Sequence, residues 1–149
     1  MALRDDEGQM NNIRFQTENK EYKFQQVKIL EYLGVTLTHN CKEDVEIDKR
    51  LMKGSKAMGS LQKIMSSKIT SKKTKIRLYR TIIQPTVLYG CETWILNKSI
   101  AEKLERWERK ILRKIYGGVK VSDGQWRSRT NKEVTEQYGY PNITQIVRA

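Results

Sequence analysis

The sequence predicts a mainly α-helical protein: a small helical bundle preceded by a short β-hairpin and followed by short C-terminal helices. Three observations support this fold class. Apolar residues recur at helical spacing over most of the chain after residue 43. A run rich in β-branched and aromatic residues comes before them. Capping and stop residues separate the helical segments, and 38% hydrophobic residues suffice for a modest core.

The first forty residues are expected to form an irregular arm and then a hairpin. Residues 1–20 have no hydrophobic period, so we interpret them as a polar arm. Residues 22–27 alternate in part, and residues 29–37 favour a strand by composition. We therefore predict that these two runs pair with each other as an antiparallel hairpin over residues 21–40.

Residues 41–117 are predicted to form a helical domain. A first helix is expected from Asp44 to Met65, with acidic residues in its first turn where the helix dipole favours them. Ser71 is well placed to cap a second helix, and Pro85 marks a kink or an end of that helix.

The third helix has the clearest signal. Asn97 or Ser99 can cap it, and Gly117-Gly118 can stop it. Its amphipathic stripe comprises Ile100, Leu104, Trp107, Ile111, Leu112 and Ile115. Residues 118–149 are expected to be a linker with short helices capped at Thr130 and Asn142. The chain ends inside a helical pattern, which we interpret as a truncation.

Positive charge is concentrated in one segment. Lys49–Arg80 holds eleven Lys or Arg and no acid, in a chain whose net charge is +12. Such a field attracts polyanions, so the segment predicts contact with nucleic acid, although a solvated helix face is the plainer alternative. The candidate phosphate-binding residues are Lys49, Arg50, Lys53, Lys56, Lys72, Lys73, Lys75, Arg77 and Arg80. Tyr79, Tyr89 and Trp94 could stack on bases, but their spacing favours core packing.

A catalytic or metal-binding constellation is not evident in the sequence. His39 has no triad partners, and Asp5-Asp6 lies in the polar arm. Cys41 and Cys91 are not spaced as zinc ligands. We therefore expect no cofactor bound by this chain. No signal segment or membrane-length apolar run is evident, so we expect no membrane partner and an intracellular location, nuclear or cytoplasmic or both.

Three strings resemble one protein family. They are Glu31–Leu37 with its Tyr-Leu-Gly, Leu78–Trp94 with its Pro and its Tyr-Gly-Cys-Glu-Thr-Trp, and the helical Leu104–Tyr116. Together they are similar to the region downstream of the palm in reverse transcriptases, the RNA-directed DNA polymerases of non-LTR retrotransposons. The resemblance implies that the Tyr-Leu-Gly hairpin, with Tyr32, Leu33 and Gly34, corresponds to the primer grip. It also implies that the basic helices correspond to the thumb and follow the template–primer backbone.

The palm acids of that family are not matched. Its Ala-Asp-Asp turn lies upstream of the Tyr-Leu-Gly hairpin, whereas here Arg4 precedes Asp5-Asp6, only 25 residues before Glu31. Two-metal nucleotidyl transfer needs those carboxylates, so we expect a fragment that is inactive alone and does not bind the Mg²⁺ of the parent polymerase. The expected partners are RNA template, DNA primer and the missing palm and fingers. The alternative is a stand-alone basic helical module that binds RNA, DNA or a partner protein.

Overall fold

A computed structural model describes residues 13–17, 20–24, 27–39, 44–121 and 124–149 of the chain. The chain divides into two compact units, residues 1–42 and 43–149. The first contains short strands, and the second contains helices and one small strand pair. The predicted class, mainly α with a preceding hairpin and short C-terminal helices, is confirmed.

The described residues of the first unit form two antiparallel hairpins. Strand β1 (Ile13–Thr17) pairs with β2 (Lys20–Phe24), and β3 (Ile29–Tyr32) pairs with β4 (Val35–Thr38). The predicted pairing of residues 22–27 with residues 29–37 is therefore wrong. Strand β1 also lies inside the stretch that was predicted as an irregular arm; the rest of that arm lies mostly outside the described residues.

The second hairpin turns at Leu33-Gly34. Both residues have positive φ, 49° and 75°, as the two central residues of a type I′ turn require. Gly34 adopts this conformation without strain, whereas Leu33 does so at a cost. The run 29–37 looks like one strand by composition because its turn contains only one typical turn residue.

The second unit begins with two helices and a third that is interrupted by a π turn. Helix α1 is Asp44–Ser60, and α2 is Gln62–Ser66, so the predicted first helix is broken at Leu61. Helix α3 (Lys72–Leu78) leads through a π turn (Tyr79–Ile83) into α4 (Gln84–Leu88).

Pro85 does not end this helix. In a regular α-helix its ring would crowd the carbonyl of Thr81, and its missing N–H would leave that carbonyl without a donor. The π turn widens the backbone directly before the proline, where the Gln84 N–H reaches back to the Tyr79 carbonyl. The helix therefore continues through the proline as far as Leu88.

Helix α5 (Lys98–Tyr116) is the longest element. The Asn97 side chain accepts the Ile100 N–H at 2.8 Å at its start, and Gly117 ends it with a φ of 73°. Both signals were predicted from sequence and are confirmed. A small strand pair follows, β5 (Val119–Lys120) with β6 (Trp126–Arg127). The chain then forms α6 (Asn131–Tyr138) and α7 (Ile143–Arg148), and each begins with a capping box.

Helix α5 organises the core. Its residues Ile100 and Leu104 pack in one apolar cluster with Ile47, Val87, Trp94 and Ile143. Further along, Ile111, Leu112 and Ile115 pack in a second cluster, which includes Met58, Ile76, Tyr79, Ile83, Val134 and Tyr138. Trp107 packs against both clusters. The predicted stripe of α5 is thus the surface on which the other helices assemble.

Candidate nucleic-acid interface

Three of the predicted cations form an exposed row on α1. Lys49, Lys53 and Lys56 are four and three residues apart, which places them on one face of the helix. The row presents three charges to solvent along about two turns. This surface is compatible with the backbone of a nucleic acid.

Arg50 does not belong to this surface. Its side chain is 4% exposed, and its Nε donates to Glu46 Oε1 at 2.5 Å. Its guanidinium lies over the ring of Tyr89, with Cζ 4.8 Å from the ring centre. Moving Arg50 to a phosphate would deprive the buried Glu46 carboxylate of this partner, which is costly. We therefore remove Arg50 from the candidate set.

Lys75 is also engaged within the protein. It is 9% exposed, and its Nζ donates to the carbonyl of Ser67 at 2.7 Å. This bond fixes the loop before α3 against the helix. The residue thus has a structural role, and we remove it from the candidate set as well.

Four predicted cations remain exposed on α3 and the π turn: Lys72, Lys73, Arg77 and Arg80. The Ser71 hydroxyl accepts the Thr74 N–H at 3.1 Å, which fixes the start of α3 and the placement of both lysines. Within the part of the chain that the structure describes, these four side chains form no ion pair. Their charge is therefore available to an outside anion.

The same four cations line a pocket of about 810 Å³ in the second unit. Its other walls come from Gln84, from Tyr116 at the end of α5, and from the end of α6 and the start of the α6–α7 connection, which contribute Gln137, Tyr138 and Tyr140. The pocket therefore combines positive charge with aromatic rings. That combination suits a ligand that carries both a phosphate and a planar base.

One wall of the pocket is a stack of rings and a guanidinium. Arg80 lies over the ring of Tyr140, with its Cζ 3.8 Å from the ring centre. Tyr140 meets Tyr138 edge to face with ring centres 5.4 Å apart, and Tyr138 meets Tyr79 in the same way at 6.1 Å. The stack runs from the buried core to the exposed rim, so Arg80 is held in place by aromatic contact.

Two residues that line the pocket, Gln84 and Tyr138, each have a side-chain polar atom that is buried away from its open space. Gln84 is 5% exposed and Tyr138 is 4% exposed, and neither the Gln84 Nε2 nor the Tyr138 hydroxyl makes a hydrogen bond within the described residues. Burial, and then the Glu108 carboxylate, raise the pKa of Tyr138 to about 12. Gln84 lies close enough to lower that pKa, but the two groups do not reach hydrogen-bonding geometry. The hydroxyl is therefore protonated at neutral pH and can donate.

Two cations of α5 pair with acids, in contrast to the four exposed cations of α3 and the π turn. Lys103 Nζ contacts Asp48 Oδ1 at 2.5 Å, and Arg109 Nη1 contacts Glu105 Oε2 at 3.0 Å. Each acid offsets the charge of the cation that it pairs with.

The hairpin residues Tyr32, Leu33 and Gly34 lie in the first unit, exposed around the type I′ turn. Leu33 is 72% exposed despite its apolar side chain. A hairpin is present at these residues, and their role as a primer grip stays a prediction. The pocket and the lysine row of α1 belong to the second unit.

Two of the three aromatic residues considered for base stacking are part of the core. Tyr79 and Trp94 are buried, whereas Tyr89 is half exposed beneath Arg50. Sequence reasoning missed Gln84, Tyr138 and Tyr140 as site residues. Only the Tyr-Gly-Tyr string around Gly139, whose positive φ turns the chain after α6, could have drawn attention to the two tyrosines.

The described residues contain no group of three or more His, Cys, Asp or Glu arranged to hold a metal ion. Among the helices that the structure describes, none is long and apolar enough to cross a bilayer.

Comparison with known proteins gives a limited likeness. Over 86 residues, 58% of this chain, the sequence is 28% identical to a Caenorhabditis elegans protein described as an uncharacterized transposon-derived protein. The match spans 30% of that protein's length. No family model matches the chain. No solved structure matches it either. The chain is thus similar to a transposon-derived protein over more than half its length.

Proposed function

We propose that this chain is a non-catalytic part of a retrotransposon reverse transcriptase that holds template–primer nucleic acid through a basic helical surface. One observation carries the proposal: Lys72, Lys73, Arg77 and Arg80 are exposed together, and none forms an ion pair within the described residues. The likeness to a transposon-derived protein supports the transposon origin in this proposal.

The lysine row of α1 adds a second contact surface. Lys49, Lys53 and Lys56 present charge without base-reading geometry, so binding should be tolerant of sequence and driven by counterion release. Palm and fingers are proposed to come from other parts of the polymerase, together with its carboxylates and Mg²⁺.

The test is a salt titration of binding to an RNA–DNA hybrid duplex. The logarithm of affinity should fall with the logarithm of salt concentration, with a slope of roughly −0.9 per phosphate contact. Changing Lys72, Lys73, Arg77 and Arg80 to Gln together should reduce the slope by roughly two to four contacts. All sequences should be weakened about equally.

The matched control changes Lys103, Arg106, Arg109 and Lys110 of α5 to Gln. It removes the same formal charge, but Lys103 and Arg109 are already paired with acids, so the loss should be smaller. Equal losses from the two variants would mean that general surface charge drives binding, and the assignment of the contact to the four cations of α3 and the π turn would have to be abandoned.

The alternative is a stand-alone basic module. The DNA upstream of the coding region distinguishes the two proposals. Palm carboxylates encoded there support a polymerase, whereas a complete gene without them supports a module.

A further inference from the structure

We propose that the loop between α2 and α3, residues 67–71, is a wedge whose tip residue Ile69 inserts into the base stack of a bound nucleic-acid duplex. The inference rests on the proposed function and deepens it. Exposed cations account for contact with phosphates, whereas an exposed apolar tip among them accounts for a contact with the bases.

Ile69 is the most exposed of the large hydrophobic residues that the structure describes, with an exposed fraction of 98%. The elements on both sides of the loop are well packed, since Met65 of α2 and Ile76 of α3 are buried in the same apolar cluster. The core therefore takes up the apolar side chains around the loop and leaves this one in solvent. Its burial against a partner would be favourable in proportion to the apolar area removed from water.

The loop holds Ile69 in a fixed position. The buried Lys75 donates from its Nζ to the Ser67 carbonyl at 2.7 Å, and the Ser67 hydroxyl accepts the Ile69 N–H at 3.2 Å. At the other end of the loop, the Ser71 hydroxyl accepts the Thr74 N–H at 3.1 Å. A tip that is already ordered loses little conformational entropy when it inserts into a partner. The hydrogen bonds thus prepare the loop for insertion.

The charge around the tip selects a polyanion as the partner. The segment Lys49–Arg80 contains no Asp or Glu. Four exposed lysines lie within six residues of Ile69 in the sequence, and none of them forms an ion pair within the described residues: Lys63, Lys68, Lys72 and Lys73. A duplex fits both features, because its phosphates surround a stack of bases and apolar side chains can open a base step from the minor groove.

The tip is continuous with the surface proposed to hold the duplex backbone. Lys72 and Lys73 follow Ile69 by three and four residues, and they belong to the four exposed cations of α3 and the π turn. An anionic membrane also presents negative charge over an apolar interior. The continuity favours the duplex, and the membrane is the competing outcome in the experiment.

The experiment measures affinity for two RNA–DNA hybrid duplexes of equal length, one fully paired and one with a single central mismatch. A mismatch lowers the cost of opening a base step, so it should raise the affinity of the wild type by about fivefold. Ile69→Ala should abolish this gain and weaken binding to the paired duplex by about threefold, because the lost apolar contact is partly offset by the unstacking that is no longer needed. The salt dependence should not change, because no phosphate contact is removed.

The matched control is Ile95→Ala, which removes the same side chain from a position that is 72% exposed and lies outside the basic segment. It should leave both affinities unchanged. Neither variant should lower the melting temperature, because neither side chain is buried. An undiminished mismatch gain in Ile69→Ala would overturn the proposal, and so would an equal loss of affinity in Ile95→Ala.

Vesicles of phosphatidylserine and phosphatidylcholine supply the competing partner. If Ile69→Ala weakens binding to the vesicles but to neither duplex, the tip inserts into a membrane and the wedge proposal is wrong. If both duplexes bind with a steep salt dependence but the wild type and Ile69→Ala bind them equally, the wedge proposal fails and the backbone proposal stands. If neither duplex binds, both proposals fail.

Discussion

The Tyr79 hydroxyl donates to Glu108 Oε1 at 2.8 Å, inside the protein and across 29 residues of sequence. The other carboxylate oxygen, Oε2, accepts the backbone N–H of Ile143 at 3.0 Å, at the first turn of α7. Glu108 therefore joins the π turn, α5 and α7 at one point. Removing one of the two hydrogen-bond donors from a buried carboxylate is costly. The Tyr79–Glu108 hydrogen bond is therefore a sensitive test of the fold.

We predict that Tyr79→Phe lowers the free energy of unfolding by about 1–3 kcal/mol, because one oxygen of Glu108 loses its donor in a buried site. Urea denaturation measures the change. The control is Tyr138→Phe, in which the lost hydroxyl makes no hydrogen bond within the described residues and the stability should hardly change. Equal losses in the two variants would contradict the role assigned to Glu108.

The pKa of Glu108 should lie above its usual value of 4.5, because burial disfavours the charged carboxylate more than the bonds from Ile143 and Tyr79 favour it. A raised folded pKa means that the folded state binds more protons, so this group adds stability as pH falls through that pKa toward 4.5. Carboxyl NMR titration measures the pKa. Tyr79→Phe should raise it further, and a fall in that variant would refute the account.

Glu133 should titrate in the opposite direction. Its bonds from Arg127, and then from the Thr130 backbone, lower its pKa to about 2. A depressed folded pKa gives stability that is present above 4.5 and is lost as pH falls toward 2. Glu133→Gln should therefore lower the melting temperature at neutral pH, with the difference from wild type vanishing near pH 2.

The comparison for Glu133 is Glu136→Gln in the same helix. Glu136 makes an exposed ion pair with Lys132, with a separation of 4.0 Å, so its loss should have little effect at any pH. If the melting temperature of Glu133→Gln still differs from that of the wild type by the same amount at pH 2, the carboxylate charge does not stabilise the start of α6.

Two glycines of α1 should respond in opposite ways to alanine. A Cβ on Gly54 would clash with Val87 Cγ2 and would lie 2.8 Å from Trp107 Cζ2, so Gly54→Ala should cost about 1–3 kcal/mol through overpacking. A Cβ on Gly59 meets nothing within 4 Å, so Gly59→Ala should stabilise the helix by about 0.5–1 kcal/mol. Thermal denaturation of both variants tests the pair. A stabilising Gly54→Ala would mean that α1 does not pack closely against Trp107.

Local signals made part of the fold predictable. Asn97 and Gly117 mark the ends of α5 because a cap and a positive-φ stop act on the residues beside them. The capping boxes at Thr130 and Asn142 were readable for the same reason. The pairing of the strands into two hairpins could not be predicted in this way. Strand pairing depends on residues outside each strand, and the turn at Leu33 lacks the usual turn composition.

The site was predictable in its charge but not in its shape. The concentration of cations in Lys49–Arg80 is a property of composition alone. Whether a given cation is available depends on its neighbours: Glu46 engages Arg50, and the Ser67 carbonyl engages Lys75. Tyr140 reaches the pocket only because the chain turns back after α6, which charge counting cannot show.

The π turn before Pro85 has a consequence for how this segment can change during evolution. Deleting one residue from Tyr79–Ile83 would restore an uninterrupted α-helix, but it would press the proline ring against a carbonyl and rotate the segment on one side of the deletion by about 100° relative to the other. Replacing Pro85 first carries neither penalty, because a widened turn does not require a proline. While Pro85 remains, a single-residue deletion here carries both penalties, which protects the spacing of Arg80 and Gln84 around the pocket; once the proline is lost, only the rotation opposes the deletion.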